Sequence, residues 1–114
     1  MHRYETLESA EGFPLVLLHG MLGSVENWQG VLAHLPERCR GIALTLPFFD
    51  DEPLDTVPKV TEYTRAYLEH ENMARCVLGG NSLGGHVALH LALEMPERIA
   101  GLVLTGSSGL FERE

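Results

Sequence analysis

Short apolar runs alternate along this chain with longer stretches in which apolar residues recur every three or four positions. That alternation is the mark of strand-helix-strand units and of a mainly parallel sheet. Residues 13–18 are apolar throughout Leu15-Val16-Leu17-Leu18 and predict a strand buried on both faces. A short strand is predicted before it at 3–8, and three more at 41–46, 74–78 and 99–105. Ser24 predicts the N-cap of a helix over 25–35, with Glu26 in its first turn and Pro36 ending it. Two further helices are predicted at 59–71 and 83–94, the second ended by Met95-Pro96. Residues 47–58 hold three prolines and four acidic residues, which predicts a long loop of the kind that often carries function. Gly106-Ser107-Ser108-Gly109 reads as a turn, and 110–114 as the start of another helix. The predicted fold class is α/β: a mainly parallel, doubly wound sheet of about five strands with helices on both faces.

Composition narrows the partners. A chain of 114 residues, 45% hydrophobic and 21% charged, suits one soluble globular unit with one core and excludes disorder. A net charge of −8 and a pI near 5.1 exclude nucleic acid and anionic membrane surfaces, which demand clustered Lys and Arg. The segment Met1-His2-Arg3-Tyr4-Glu5-Thr6 has no signal-like apolar stretch, and no run approaches the roughly 18 apolar residues that span a bilayer. The expected location is cytoplasmic. Cys39 and Cys76 lack C-x-x-C spacing, so both are expected reduced and buried, with no disulfide or zinc site.

The chemistry concentrates in two glycine turns. Gly80-Asn81-Ser82-Leu83-Gly84 follows an apolar strand and opens a helix. A serine on so tight a turn has its hydroxyl lifted clear of the chain, and side chains at the flanking glycines would collide, which makes Ser82 a candidate nucleophile. His19-Gly20-Met21-Leu22-Gly23-Ser24 is a second strand-to-helix turn. Both leave carboxyl ends of strands, where doubly wound sheets bind their ligands, so the two turns are expected to face one site. Neither G-x-G-x-x-G nor a P-loop lysine is present at Gly20 or Gly80, which argues against phosphate binding. His86 and His90 have a zinc-compatible spacing but no H-E-x-x-H and no third ligand, so neither metal nor cofactor is expected. His86 also lies inside the helix that follows Ser82 and is expected to project away from it. Trp28 reads as packing, Asp50, Asp51, Glu52 and Asp55 as a solvated acidic loop. Phe48 and Phe49 either line an acyl pocket or cover the sheet.

The strand-H-G-x-x-G-S turn, the G-N-S-L-G-G turn and the spacing between them resemble the N-terminal half of the α/β-hydrolase fold family, of the esterase, lactonase and carbon-carbon bond hydrolase type. The likeness runs from about Phe13 to Gly109. It implies Ser82 as nucleophile and the backbone N–H groups of Met21 and Leu83 as an oxyanion hole, where loss of one donor costs about 10²–10³ in rate. It implies a structural role for His19. One departure is Thr45-Leu46-Pro47-Phe48-Phe49-Asp50, which keeps only the proline of the Asp-x-P-G-x-G that family members often carry. In the family the acid and the base lie on later loops, and a lid is often inserted after the strand matching 99–105. Residues 1–114 are therefore expected to be the nucleophile half of a serine hydrolase, ending near that insertion point. Such a chain forms an acyl-enzyme on a small apolar ester, lactone, thioester or related carbonyl substrate only with the missing groups, and alone is expected to be inactive. The alternative expectation is a non-catalytic scaffold that self-associates through the open edge of its last strand, or pairs with a missing C-terminal half.

Overall fold

The computed structural model of the chain describes residues 4–9, 11–48, 54 and 56–106. Five strands form one sheet: β1 (Thr6–Glu8), β2 (Gly12–Leu18), β3 (Arg38–Leu44), β4 (Cys76–Asn81) and β5 (Ile99–Thr105), in the order β1-β3-β2-β4-β5. All pairings are parallel except β1 with β3, which is antiparallel. The crossovers carry a 3-10 turn (Val25–Trp28) running into α1 (Gln29–Ala33), then α2 (Val57–His70) and α3 (Leu83–Glu94).

The period of two along the strands sorts side chains to the two faces. Val16 and Leu18, Ile42 and Leu44, Cys76 and Leu78 point to one side and form the core with Val60, Tyr67 and Leu68 of α2 and Val87, Ala88 and Leu91 of α3. The opposite side is covered by the α1 region, where Leu32 and Leu35 occupy the space over Gly41 that any side chain there would need. The sheet is therefore doubly wound, with helices on both faces, as the alternation predicts.

Boundaries depart from expectation where backbone pairing outruns side-chain hydropathy. β3 starts at Arg38 rather than residue 41, because Gly12 pairs with Arg38 and the ladder continues through polar residues at the sheet rim. Arg40 there donates to Glu8 of β1 at 2.7 Å. β3 then stops at Leu44 because Leu46 turns its N–H out of the ladder to His19. β4 continues through Gly79 and Gly80, which give no hydropathy signal; Leu17 fills the space above Gly79. α2 begins at Val57, since Thr56 caps it by accepting from the Lys59 N–H at 3.2 Å and proline is tolerated in a first helical turn. The helix expected over 25–35 is split and short. Ser24 stands at its start as the N-cap, its N–H donating to Asn27 Oδ1 at 2.9 Å in a capping box while its hydroxyl also donates to the Glu26 carboxylate.

Among the described residues no helix is long and apolar enough to cross a membrane. Cys39 and Cys76 are free thiols; Cys76 is buried, which pushes its thiol up to about 11, whereas Cys39 is only half-buried, against expectation.

Candidate active site

Ser82 sits between β4 and α3 with φ 56° and ψ −120°. A left-handed φ is uncommon for a residue with a side chain and costs on the order of 1–3 kcal/mol, so surrounding structure must hold it. Its N–H donates to the Thr105 carbonyl at 3.1 Å, and its own carbonyl accepts from the N–H groups of Gly85 and His86 at 3.0 and 3.2 Å. The hydroxyl is left facing solvent and caps nothing. The glycines on either side are required by contact. A Cβ on Gly80 would lie 2.4 Å from the Gly84 carbonyl oxygen, and one on Gly84 would lie 2.2 Å from the Leu18 oxygen.

The two glycine turns meet. A Cβ on Gly20 would lie 3.2 Å from Cβ and 3.7 Å from Oγ of Ser82, so a side chain there would press on Ser82 and shift the two turns by a few tenths of an ångström. Gly20 accepts from Gly23 N–H at 3.0 Å, which closes the turn and leaves Met21 at its tip, 48% exposed. Among the described residues neither the Met21 nor the Leu83 N–H has an intramolecular acceptor. The Leu83 group opens α3, where unpaired N–H groups and the helix dipole favour negative charge.

His19 is 2% exposed and fully bonded. Leu46 N–H donates to Nε2 at 2.9 Å, so Nε2 is unprotonated, and Nδ1–H donates to the Gly20 carbonyl at 2.7 Å. Burial holds its pKa below the usual imidazole range, against the opposing pull of the Gly20 bond and of the Glu26 charge. The ring thus ties the loop after β3 to the turn beside Ser82 in one neutral tautomer. Sequence reasoning assigns His19 a structural place but does not find Leu46 as its partner, because a backbone N–H carries no residue signature.

Phe48 is buried in the core cluster and stands edge-on to His19, with ring centroids 5.6 Å apart. Phe49, Asp50, Asp51, Glu52 and Asp55 lie outside the described residues. His86 stacks on His90 one turn along α3, with ring centroids 4.9 Å apart. Trp28 is half-buried, and its Nε1 has no acceptor among the described residues. Among the described residues no three His, Cys, Asp or Glu side chains converge to hold a metal ion.

A parallel sheet, a serine in a left-handed turn between strand and helix, and a glycine turn touching it define an α/β fold of the hydrolase kind. The chain belongs to the alpha/beta hydrolase fold family, which matches residues 14–113. It is 41% identical over 107 residues to a pimeloyl-[acyl-carrier protein] methyl ester esterase of Aeromonas hydrophila, covering 89% of this chain and 40% of that one. It is 36% identical over 114 residues to the dihydrolipoyllysine-residue acetyltransferase component of the acetoin cleaving system of Pseudomonas putida, covering 96% of this chain and 31% of that one. An alpha/beta hydrolase enzyme from the metagenome of sediments of the Mar Chica lagoon, Morocco, superposes with a TM-score of 0.86 at 37% identity, covering 98% of this chain and 52% of that one. The chain therefore spans between about a third and a half of the length of these relatives.

Proposed function

We propose that Ser82 is the nucleophile of a serine hydrolase that passes through an acyl-enzyme on a small apolar ester, lactone, thioester or related carbonyl substrate. The observation that carries this reading is the left-handed Ser82 at the start of α3 in contact with Gly20 of the second turn. Ser82 Oγ attacks the acyl carbon, the carbonyl electron pair moves onto oxygen, and the N–H groups of Met21 and Leu83 stabilise that oxyanion. Collapse expels the leaving group and leaves the acyl group on Oγ, which water then releases. A methyl ester esterase and an acetyltransferase component, two of the relatives, both act at an acyl carbonyl, which supports the substrate class. Ser82 Oγ makes no capping hydrogen bond in α3, and in this reading its proton acceptor is a histidine outside the described residues, as in a Ser-His-Asp triad. Removing the histidine of a comparable triad costs about 10⁶ in turnover.

The test uses p-nitrophenyl acetate. Residues 1–114 alone are expected to show background turnover. The same sequence joined to the C-terminal part of the Aeromonas esterase should turn over the ester and lose at least roughly 10⁴ of that rate on Ser82→Ala. Turnover that survives Ser82→Ala in the joined protein overturns the assignment.

A second reading rests on β5, which among the described residues pairs on one side only. Leu102 and Val103 of this strand are 37% and 54% exposed, and no charge or proline interrupts it. An open apolar edge of this kind favours strand addition, so the chain would act as a self-associating, non-catalytic module. Light scattering should then give a dimer for residues 1–114 and a monomer for Val103→Lys. A monodisperse monomer for the unaltered chain rules this reading out.

A further inference from the structure

We infer that Thr105, brought into register by an extra residue in β5, is the positioning residue that holds Ser82 in its left-handed conformation. The inference rests on the proposed role of Ser82 only for its functional meaning; the geometry stands apart from it.

Thr105 reaches the turn twice. Its carbonyl accepts the Ser82 N–H at 3.1 Å, and its hydroxyl donates to Oδ1 of Asn81 at 3.1 Å. One residue thus fixes the peptide that enters the strained position and the side chain just before it. The pairing of β4 with β5 explains why a threonine stands there. Cys76 faces Ile99, but Val77 faces Gly101, so Ala100 is an extra residue on β5. Beyond this irregularity Asn81 faces Thr105. Without the extra residue the register set by Cys76 and Ile99 would put Leu104 opposite Asn81, and a leucine offers no hydroxyl. Bulges of this kind re-aim side chains and recur beside functional sites. Gly106 then turns the chain away with φ +54°, which ends the contact at Thr105.

The latch also accounts for Asn81, the variable position of the G-x-S-x-G turn. Its side chain lies on the outer rim of the sheet with Thr105 as partner, so it stiffens the turn from outside while Gly20 limits it from inside.

Hydrogen exchange at the Ser82 amide, followed by NMR in residues 1–114, tests the latch without requiring activity. Thr105→Val keeps the shape and the carbonyl but removes the donor. It should speed exchange at Ser82 roughly threefold to tenfold, the range expected for losing one hydrogen bond, while Leu78 and Gly79 in the same strand stay unchanged. Thr105→Ser should restore protection, and Asn81→Ala should match Thr105→Val with no further increase in the double variant. Unchanged exchange at Ser82 in both single variants overturns the inference. So does a rise spread equally along β4, or a failure of serine to rescue. Should Thr105→Val fail to fold, the Asn81→Ala comparison decides alone. A protected Ser82 amide that responds in this way, in a joined protein without ester turnover, would remove the hydrolase reading and leave the latch.

Discussion

Gly84→Ala is expected to lower the melting temperature by on the order of 10 °C or more, or to prevent folding outright. The added Cβ would lie 2.2 Å from the carbonyl oxygen of Leu18, 2.6 Å from its carbonyl carbon and 2.8 Å from the carbonyl oxygen of His19. All three atoms are backbone, and Leu18 is wholly buried in a central strand, so no flexible side chain can move aside. Relief requires α3 to retreat from β2, which opens the core around Val87 and Leu91. Overpacking of this kind costs roughly 1–3 kcal/mol where the surroundings give way and more where they are backbone. Gly30→Ala is the matched control, because a Cβ there meets nothing within 4 Å and alanine favours helix by about 1 kcal/mol. Calorimetry showing Gly84→Ala within about 2 °C of the parent would contradict the close approach of α3 to β2.

Acidification is expected to destabilise the fold through His19, with a pH slope that His19→Leu reduces. The imidazole is held neutral in the folded chain, so its folded pKa lies below the ordinary value of 6.5. Below that value the unfolded chain binds a proton that the folded chain refuses, so stability falls as pH drops until the folded pKa is reached. Above about pH 6.5 both states are neutral, and the contribution of this group is flat. The slope in the active window is at most about 1.4 kcal/mol per pH unit. Protonation at Nε2 would set a donor against the Leu46 N–H, so the acid state loosens the loop after β3 from the Gly20 turn. His19→Leu leaves the Leu46 N–H unpaired and is expected to cost about 2–4 kcal/mol at neutral pH. Denaturant melts of both proteins between pH 4 and pH 8 check this; equal slopes in the two would exclude His19 as the titrating group.

Much of the fold is legible in the sequence, and the reasons differ from element to element. α3 and β5 fall at Leu83–Glu94 and Ile99–Thr105, as expected, because Ser82, Pro96 and Gly106 punctuate them sharply. β3 and β4 are displaced because their ends are set by register with β2, which is a relation between distant residues and leaves no local mark. The contact between Gly20 and Ser82 is foreseeable only in outline: two strands ending in glycine turns can be recognised, but their adjacency follows from the strand order. The His19–Leu46 bond and the Thr105–Asn81 bond were out of reach for the same reason. Each joins residues more than twenty positions apart, and the second depends on an irregularity at Ala100 that no composition or periodicity announces.

β2 and β4 are hydrogen-bonded neighbours from Leu15 with Val77 to Leu18 with Gly80, and each delivers one of the two glycine turns at the same end. The distance between the turns is thereby inherited from the spacing of adjacent strands, about 4.8 Å, and not from any loop. The segment between β3 and α2 lies outside that shared ladder. The two turns therefore keep their spacing for as long as the β2–β4 ladder stays paired, whatever rearranges in the segments that connect the strands.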